Sequence, residues 1–133
     1  MSDKDALQNP RVIVIQKLYG HHFNKDNELN FPKHRYKKFI KDVVRGTIER
    51  KDLIQDIIDN ELKDDINEKK TELMVKLMIM AAIYEFMFMH KTPTKVVINE
   101  YLKVADFFVA GSQKSFLNAI LDKVSKISRH KSV

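Results

Sequence analysis

The stretch LMVKLMIMAAIYEFMFM, residues 73–89, decides the fold class. Its charged residues are Lys76 and Glu85, and it contains neither Gly nor Pro. It is too long for an ordinary strand, and a membrane-spanning helix needs about 20 mostly apolar residues. The reading is a buried central helix rather than a membrane span, because a helix apolar on all sides belongs in an interior. Met74, Met78, Met80, Met87 and Met89 lie in this run. Their flexible thioethers fill irregular gaps in a core, the favoured reading over a sticky groove.

Outward toward the N-terminus, three helical patterns precede it. The first runs from Pro10 to about His22, with proline at the first helical position. Arg11, Ile15 and Leu18 share one face, flanked by Val14 and Tyr19, although the β-branched run VIVI equally suits the start of a strand. The second runs from about Pro32 to Glu49, with Tyr36, Phe39, Ile40, Val43, Val44, Thr47 and Ile48 at helical spacing. Lys37, Lys41 and Arg45 line a different face, which reads either as a solvated surface or as a phosphate track. Leu53, Ile54, Ile57, Ile58 and Leu62 mark the third. The charged segment KDDINEKK, residues 63–70, is the best boundary between two helical halves, about 9–62 and 70–128.

Outward toward the C-terminus, KTPTK forms a linker in which Thr92 or Thr94 is placed to cap the next helix. That helix, about 94–109, is expected to bury Ile98, Leu102, Ala105 and Phe108, with Lys95, Asn99, Lys103 and Asp106 wet. Gly111 is placed to end it and Ser112 to cap the last helix. The last helix is expected to bury Leu117, Ile120, Leu121 and Val124 and to turn Asn118, Asp122 and Ser125 outward, before a frayed tail SRHKSV. Phe116 sits at the stripe's edge near Lys123, a place to stack an unpaired base or simply a partly buried phenylalanine. The fold class is therefore all-α, six to seven helices in a single domain spanning 1–133.

Three Gly and three Pro are too few for a sheet sandwich with many tight turns. With no Cys, disulfides, thiolate zinc sites and thiol catalysis are excluded. Twenty-four Lys and Arg against 18 acids give a net charge of +6, which favours a polyanionic partner such as RNA through phosphate contacts. The polar start MSDKDALQNP is no signal peptide, so a cytoplasmic location is expected. No nucleophile elbow, phosphate loop, dinucleotide fingerprint or HExxH pattern occurs. His21 and His22 are adjacent, so a helix cannot aim both at one metal. The acidic pairs Glu49 with Asp52 and Glu61 with Asp64 read as ordinary surface acids. Neither an enzyme activity nor a cofactor is expected.

Four ordered motifs carry a resemblance: QKLY (16–19), AAIYEF (81–86), KVVINEYLKVADFF (95–108) and KSFLNAILDK (114–123), with Pro93 just before the third. Together they resemble the NusB family of bacterial transcription antitermination factors, over nearly the whole chain. The resemblance implies an all-helical, cytoplasmic, non-enzymatic protein. It implies binding of boxA RNA together with NusE, a small-subunit ribosomal protein. The resulting complex helps RNA polymerase read through terminators in ribosomal RNA operons. It also implies that Tyr19 and Phe116 touch RNA, with Arg11 beside them and Gln16, Lys95 and Lys123 as further contacts. The partner surface is expected on the central helix and the one after it, and a homodimer is compatible with the family. NusB-like domains also precede some RNA cytosine methyltransferases, but no Gly-rich methyl-donor motif occurs here.

Departures from the family pattern fall at the RNA side. The arginine-rich run that precedes QALY in the family is ALQNPRVIV here, and of it Arg11 remains. Met80 stands for an arginine before the tyrosine motif, Val75 for an acidic residue, and Ala119 for a glycine. Lys4, Lys17, the Lys37 stripe, Arg129 and Lys131 are the cations available to compensate. A protein-interaction module of the same fold with little RNA affinity is the alternative.

Overall fold

The computed structural model describes residues 8–67 and 69–131, and the side chains of these up to Ser128. Six helices occur among the described residues: α1 (Pro10–Phe23), α2 (Lys37–Glu49), α3 (Lys51–Glu61), α4 (Leu73–Phe88), α5 (Thr94–Phe108) and α6 (Gly111–Lys131). The all-α expectation holds. Helix α4 packs against all five others, which is why it has no polar face. Met78, Met80 and Met87 are buried along it, and Met74 and Met89 pack at the core's edge.

Local chemistry sets the helix ends. Asn9 caps α1, its Oδ1 accepting from the Arg11 N–H at 3.0 Å and the Val12 N–H at 3.4 Å. Pro10 follows at the first turn, and the Asn24 N–H closes the far end on Gly20 and His21 carbonyls. Val12, Ile13, Val14 and Ile15 are all buried, because α2, α4 and α5 surround this part of α1. Burial on several sides overrides the strand preference of four β-branched residues.

Helix α2 begins at Lys37 rather than near Pro32. His34 explains the delay: its Nδ1 accepts the Tyr36 N–H at 2.9 Å, and its carbonyl accepts the Lys37 N–H, so a turn replaces the first helical turn. Arg50 alone separates α2 from α3, with its N–H on the Gly46 carbonyl and its carbonyl accepting from Ile54. The expected core residue Leu53 is exposed, whereas Ile54, Ile57, Ile58 and Leu62 are buried. The 63–70 segment is charged as expected, yet Ile66 anchors it in the core, and Asp65 is tied to Lys123 of α6.

In α5 the buried stripe is Val97, Tyr101, Val104 and Ala105. Ile98, Leu102 and Phe108 lie at its margin, one residue off the expected centre. Tyr101 belongs to this stripe, its hydroxyl donating to the buried carboxylate of Glu85. Pro93 occupies the N-cap position of α5. Gly111 does not end α5: Val109 does, and Gly111 starts α6 over the Ala110 carbonyl, which accepts from Gln113 and Lys114. Ser125, expected on the wet face, is buried, its hydroxyl donating to the Asp122 carbonyl at 2.8 Å. The backbone stays helical through Lys131 instead of fraying at Ser128. No helix is long and apolar enough to cross a membrane among the described residues.

Candidate nucleic-acid interface

Arg11 lies on the same face of α1 as Ile15 and Leu18, as its spacing predicts, and that face is buried. Its side chain is turned inward, 10% exposed, and forms a two-pronged pair with Glu85 of α4. The Nε donates to Glu85 Oε2 at 3.0 Å and Nη2 to Oε1 at 2.7 Å. The Tyr101 hydroxyl donates to the same Oε2, and the guanidinium lies 4.7 Å from the Phe39 ring centroid and 5.6 Å from that of Tyr101. Desolvation opposes the Arg11 charge, but the Glu85 hydrogen bond and charge outweigh it and hold its pKa above the ordinary value. Burial, reinforced by the Glu85 charge, pushes the Tyr101 phenol well above its usual range. Every hydrogen-bonding direction of this arginine that the structure records is spent inside the protein. It ties α1 to α4 and α5.

The other expected residues stay at the surface. Gln16 and Tyr19 are exposed three residues apart on α1, so they share a side. Tyr19 is 39% exposed, and its ring meets Phe23, itself 67% exposed, edge-on at 4.9 Å. That pair is an aromatic platform at the end of α1, of a kind on which unpaired bases stack. Lys95 is exposed in the first turn of α5. Phe116 is half-buried against the core at the start of α6, and Lys123 lies two turns on, its ammonium held by Asp65 at 2.5 Å. Among the described residues, no hydrogen bond or ring contact joins the α1 pair to the α6 pair. Lys17 is half-buried on α1; Lys4 and the side chains of Arg129 and Lys131 lie outside what the structure describes.

Two further surfaces were not assembled from the sequence. An apolar depression of about 470 Å³ is lined by Leu18, Ile48, Leu73, Leu77 and Met80, with His21, Thr47 and Lys76. His21 Nδ1 and Thr47 Oγ1 are buried there with no hydrogen-bond partner among the described residues. An open cleft of about 650 Å³ gathers the Lys37, Lys41 and Arg45 stripe with Lys38, Arg50 and Tyr84. The stripe itself was legible at helical spacing; its neighbours Arg50, from the α2–α3 link, and Tyr84, from α4, were not, because only the packed fold adds them. Among the described residues, no group of three His, Asp or Glu side chains is arranged to hold a metal ion.

A model of the NusB family matches residues 8–126. The chain belongs to the NusB family. A Rickettsia akari transcription antitermination protein NusB is 35% identical over 84 residues, which is 63% of this chain and 54% of the relative. The Caulobacter vibrioides NusB protein is 28% identical over 116 residues, 87% of this chain and 78% of its own length. Matches to the Rickettsia NusB proteins thus span about half of those relatives. The solved Thermotoga maritima NusB superposes with a TM-score of 0.77 at 23% identity, covering 90% of this chain and 89% of that one, which establishes a shared fold. NusB resemblance and all-helical architecture are therefore both established.

Proposed function

We propose that this NusB-family protein is a cytoplasmic, non-catalytic antitermination factor that binds boxA-type RNA together with NusE and promotes read-through by RNA polymerase in ribosomal RNA operons. The observation that carries the reading is the exposed Tyr19–Phe23 pair beside Gln16, in a chain of net charge +6. Exposed aromatic rings are costly to leave in water and suit stacking on splayed bases, while the net charge draws in the backbone. Phe116, Lys95 and Lys123 extend the RNA surface in this proposal. Arg11 positions α1 through Glu85 rather than touching RNA.

In this proposal the NusE-type partner docks at the depression lined by Leu18, Ile48, Leu73, Leu77 and Met80, where His21 Nδ1 and Thr47 Oγ1 have no hydrogen-bond partner among the described residues. This proposal puts the partner surface on the side of α1, α2, α3 and α4 rather than on α4 and α5. One observation favours the second reading, a protein-interaction module with little RNA affinity: the arginine that survives of the family's basic run is inside. A reconstituted transcription assay on a terminator template, with and without a boxA element, tests the proposal. Read-through that requires the boxA element, the protein and NusE together is expected. Read-through unaffected by the protein would overturn it.

A further inference from the structure

The cleft between α2 and α4, closed at one end by Arg50 of the α2–α3 link, shares no residue with the RNA surface proposed above. Its lining holds five cations, Lys37, Lys38, Lys41, Arg45 and Arg50, against two carboxylates, Asp42 and Glu49. Lys37, Lys38, Lys41 and Arg45 form no ion pair with a described carboxylate; Arg50 is the one that does, loosely, at 3.9 Å from Glu49. Asp42 and Glu49 stand at helical spacing from Lys38 and Arg45 but make no ion pair with them, whereas Lys103 and Lys126 do pair with acids of their own helices. Like charges crowded on one wall raise the local potential and draw in a polyanion.

Aromatic rings are interleaved with these cations. The Arg50 guanidinium lies 4.4 Å over the Phe88 ring and 5.9 Å from that of Tyr84. Tyr84 and Phe88 stack tilted at 5.3 Å, and Phe88 is among the exposed large apolar side chains. Gly46 floors the cleft directly under Tyr84, and a Cβ there would overlap the ring. A basic groove with ring and guanidinium planes along it is the arrangement that tracks single-stranded nucleic acid. A purely electrostatic protein contact would not need the planes.

The cleft also connects to α1. Arg45 stacks over Phe31 at 5.4 Å, and Phe31 lines a shallow depression with Gln16, Lys17 and Lys33. A basic and aromatic path therefore leads from Gln16 across Lys17, Lys33 and Phe31 to Arg45 and into the cleft. We infer that single-stranded RNA flanking the recognised element runs along this path, its phosphates on Lys37, Lys38, Lys41 and Arg45 and its bases against the Tyr84, Phe88 and Arg50 planes. The path starts from the proposed RNA surface, so this inference rests in part on that reading; the cleft itself does not.

The test uses the full chain and three labelled RNAs: a boxA oligonucleotide, the same element extended by a single-stranded flank on either side, and oligouridine alone. Anisotropy titrations at several salt concentrations compare the parent with the triple variant Lys37→Gln, Lys38→Gln, Lys41→Gln, whose melting temperature is checked first. The expected result is several-fold tighter binding of the extended RNA than of the element alone. In the variant that gain disappears, the boxA oligonucleotide is bound as before, and the salt slope for the extended RNA falls by about 2, at roughly 0.7 per phosphate of a single strand. Loss of boxA preference with oligouridine still bound through the three lysines would reject the boxA reading and keep the cleft. Equal affinity and slope for parent and variant on every RNA would overturn the inference and leave the cleft to an acidic protein surface.

Discussion

Replacing Arg11 by methionine should unfold this protein far more readily than it weakens RNA binding. Glu85 is fully buried, and in the variant it keeps the Tyr101 hydroxyl but loses both hydrogen bonds from its cation. Removing one partner of a buried ion pair costs about 3–5 kcal/mol, because the survivor is left charged in a poor solvent. A domain has only about 5–15 kcal/mol in total. With a urea slope near ~2 kcal/mol/M, the unfolding midpoint followed by circular dichroism should drop by about 2 M. The triple replacement Arg11→Met, Glu85→Met, Tyr101→Phe removes every charge and hydroxyl of the unit at once and should recover most of that loss. RNA binding of Arg11→Met, measured at a temperature where it is folded, should keep the parent's salt slope. A midpoint shift below about 0.5 M, the size of an exposed pair, together with a lower salt slope, would refute the argument and return Arg11 to the phosphates.

The same cluster predicts an alkaline transition. The folded state holds the Tyr101 phenol neutral well above its usual range. Its contribution to stability is therefore complete below about pH 10, where the unfolded chain's tyrosines are also protonated, and is lost as pH rises through the folded-state value. Urea melts between neutral and strongly alkaline pH should show this decline, and Tyr101→Phe should flatten it while costing about 1.5–3 kcal/mol at pH 7 for the lost bond to a charged acceptor. Tyr19→Ala should weaken boxA RNA by about 1–3 kcal/mol of lost stacking in anisotropy titrations run well below its melting temperature, which is measured first because the side chain is 39% exposed and packs on Phe23. Gly46→Ala should cost about 1–3 kcal/mol by overpacking and shift the NMR signals of the Tyr84 ring it displaces; unshifted signals would mean the backbone yields instead.

Long apolar periodicity made the helices of this NusB-family protein legible, and two of the misplacements illustrate what it misses. The buried stripe on α5 includes Tyr101, whose hydrogen bond to Glu85 no hydropathy pattern encodes. The start of α2 is delayed by the ring nitrogen of His34 acting on the backbone. Part of the buried pair is visible in the sequence: Glu85 is the one carboxylate in the apolar run 73–89. What the sequence could not say is that its cation is Arg11, 74 positions away, which the resemblance assigned to RNA. The basic stripe on α2 was evident, but Arg50, Tyr84 and Phe88 join it only through packing, so its aromatic lining was invisible.

The most direct test of the central claim is fluorescence anisotropy of labelled boxA RNA against a scrambled control, with and without the cognate NusE, at two salt concentrations. The account predicts preference for boxA, tightening with NusE, weakening with salt, and loss of the preference in Tyr19→Ala. Equal, weak binding of both RNAs, indifferent to NusE and to Tyr19, would contradict it.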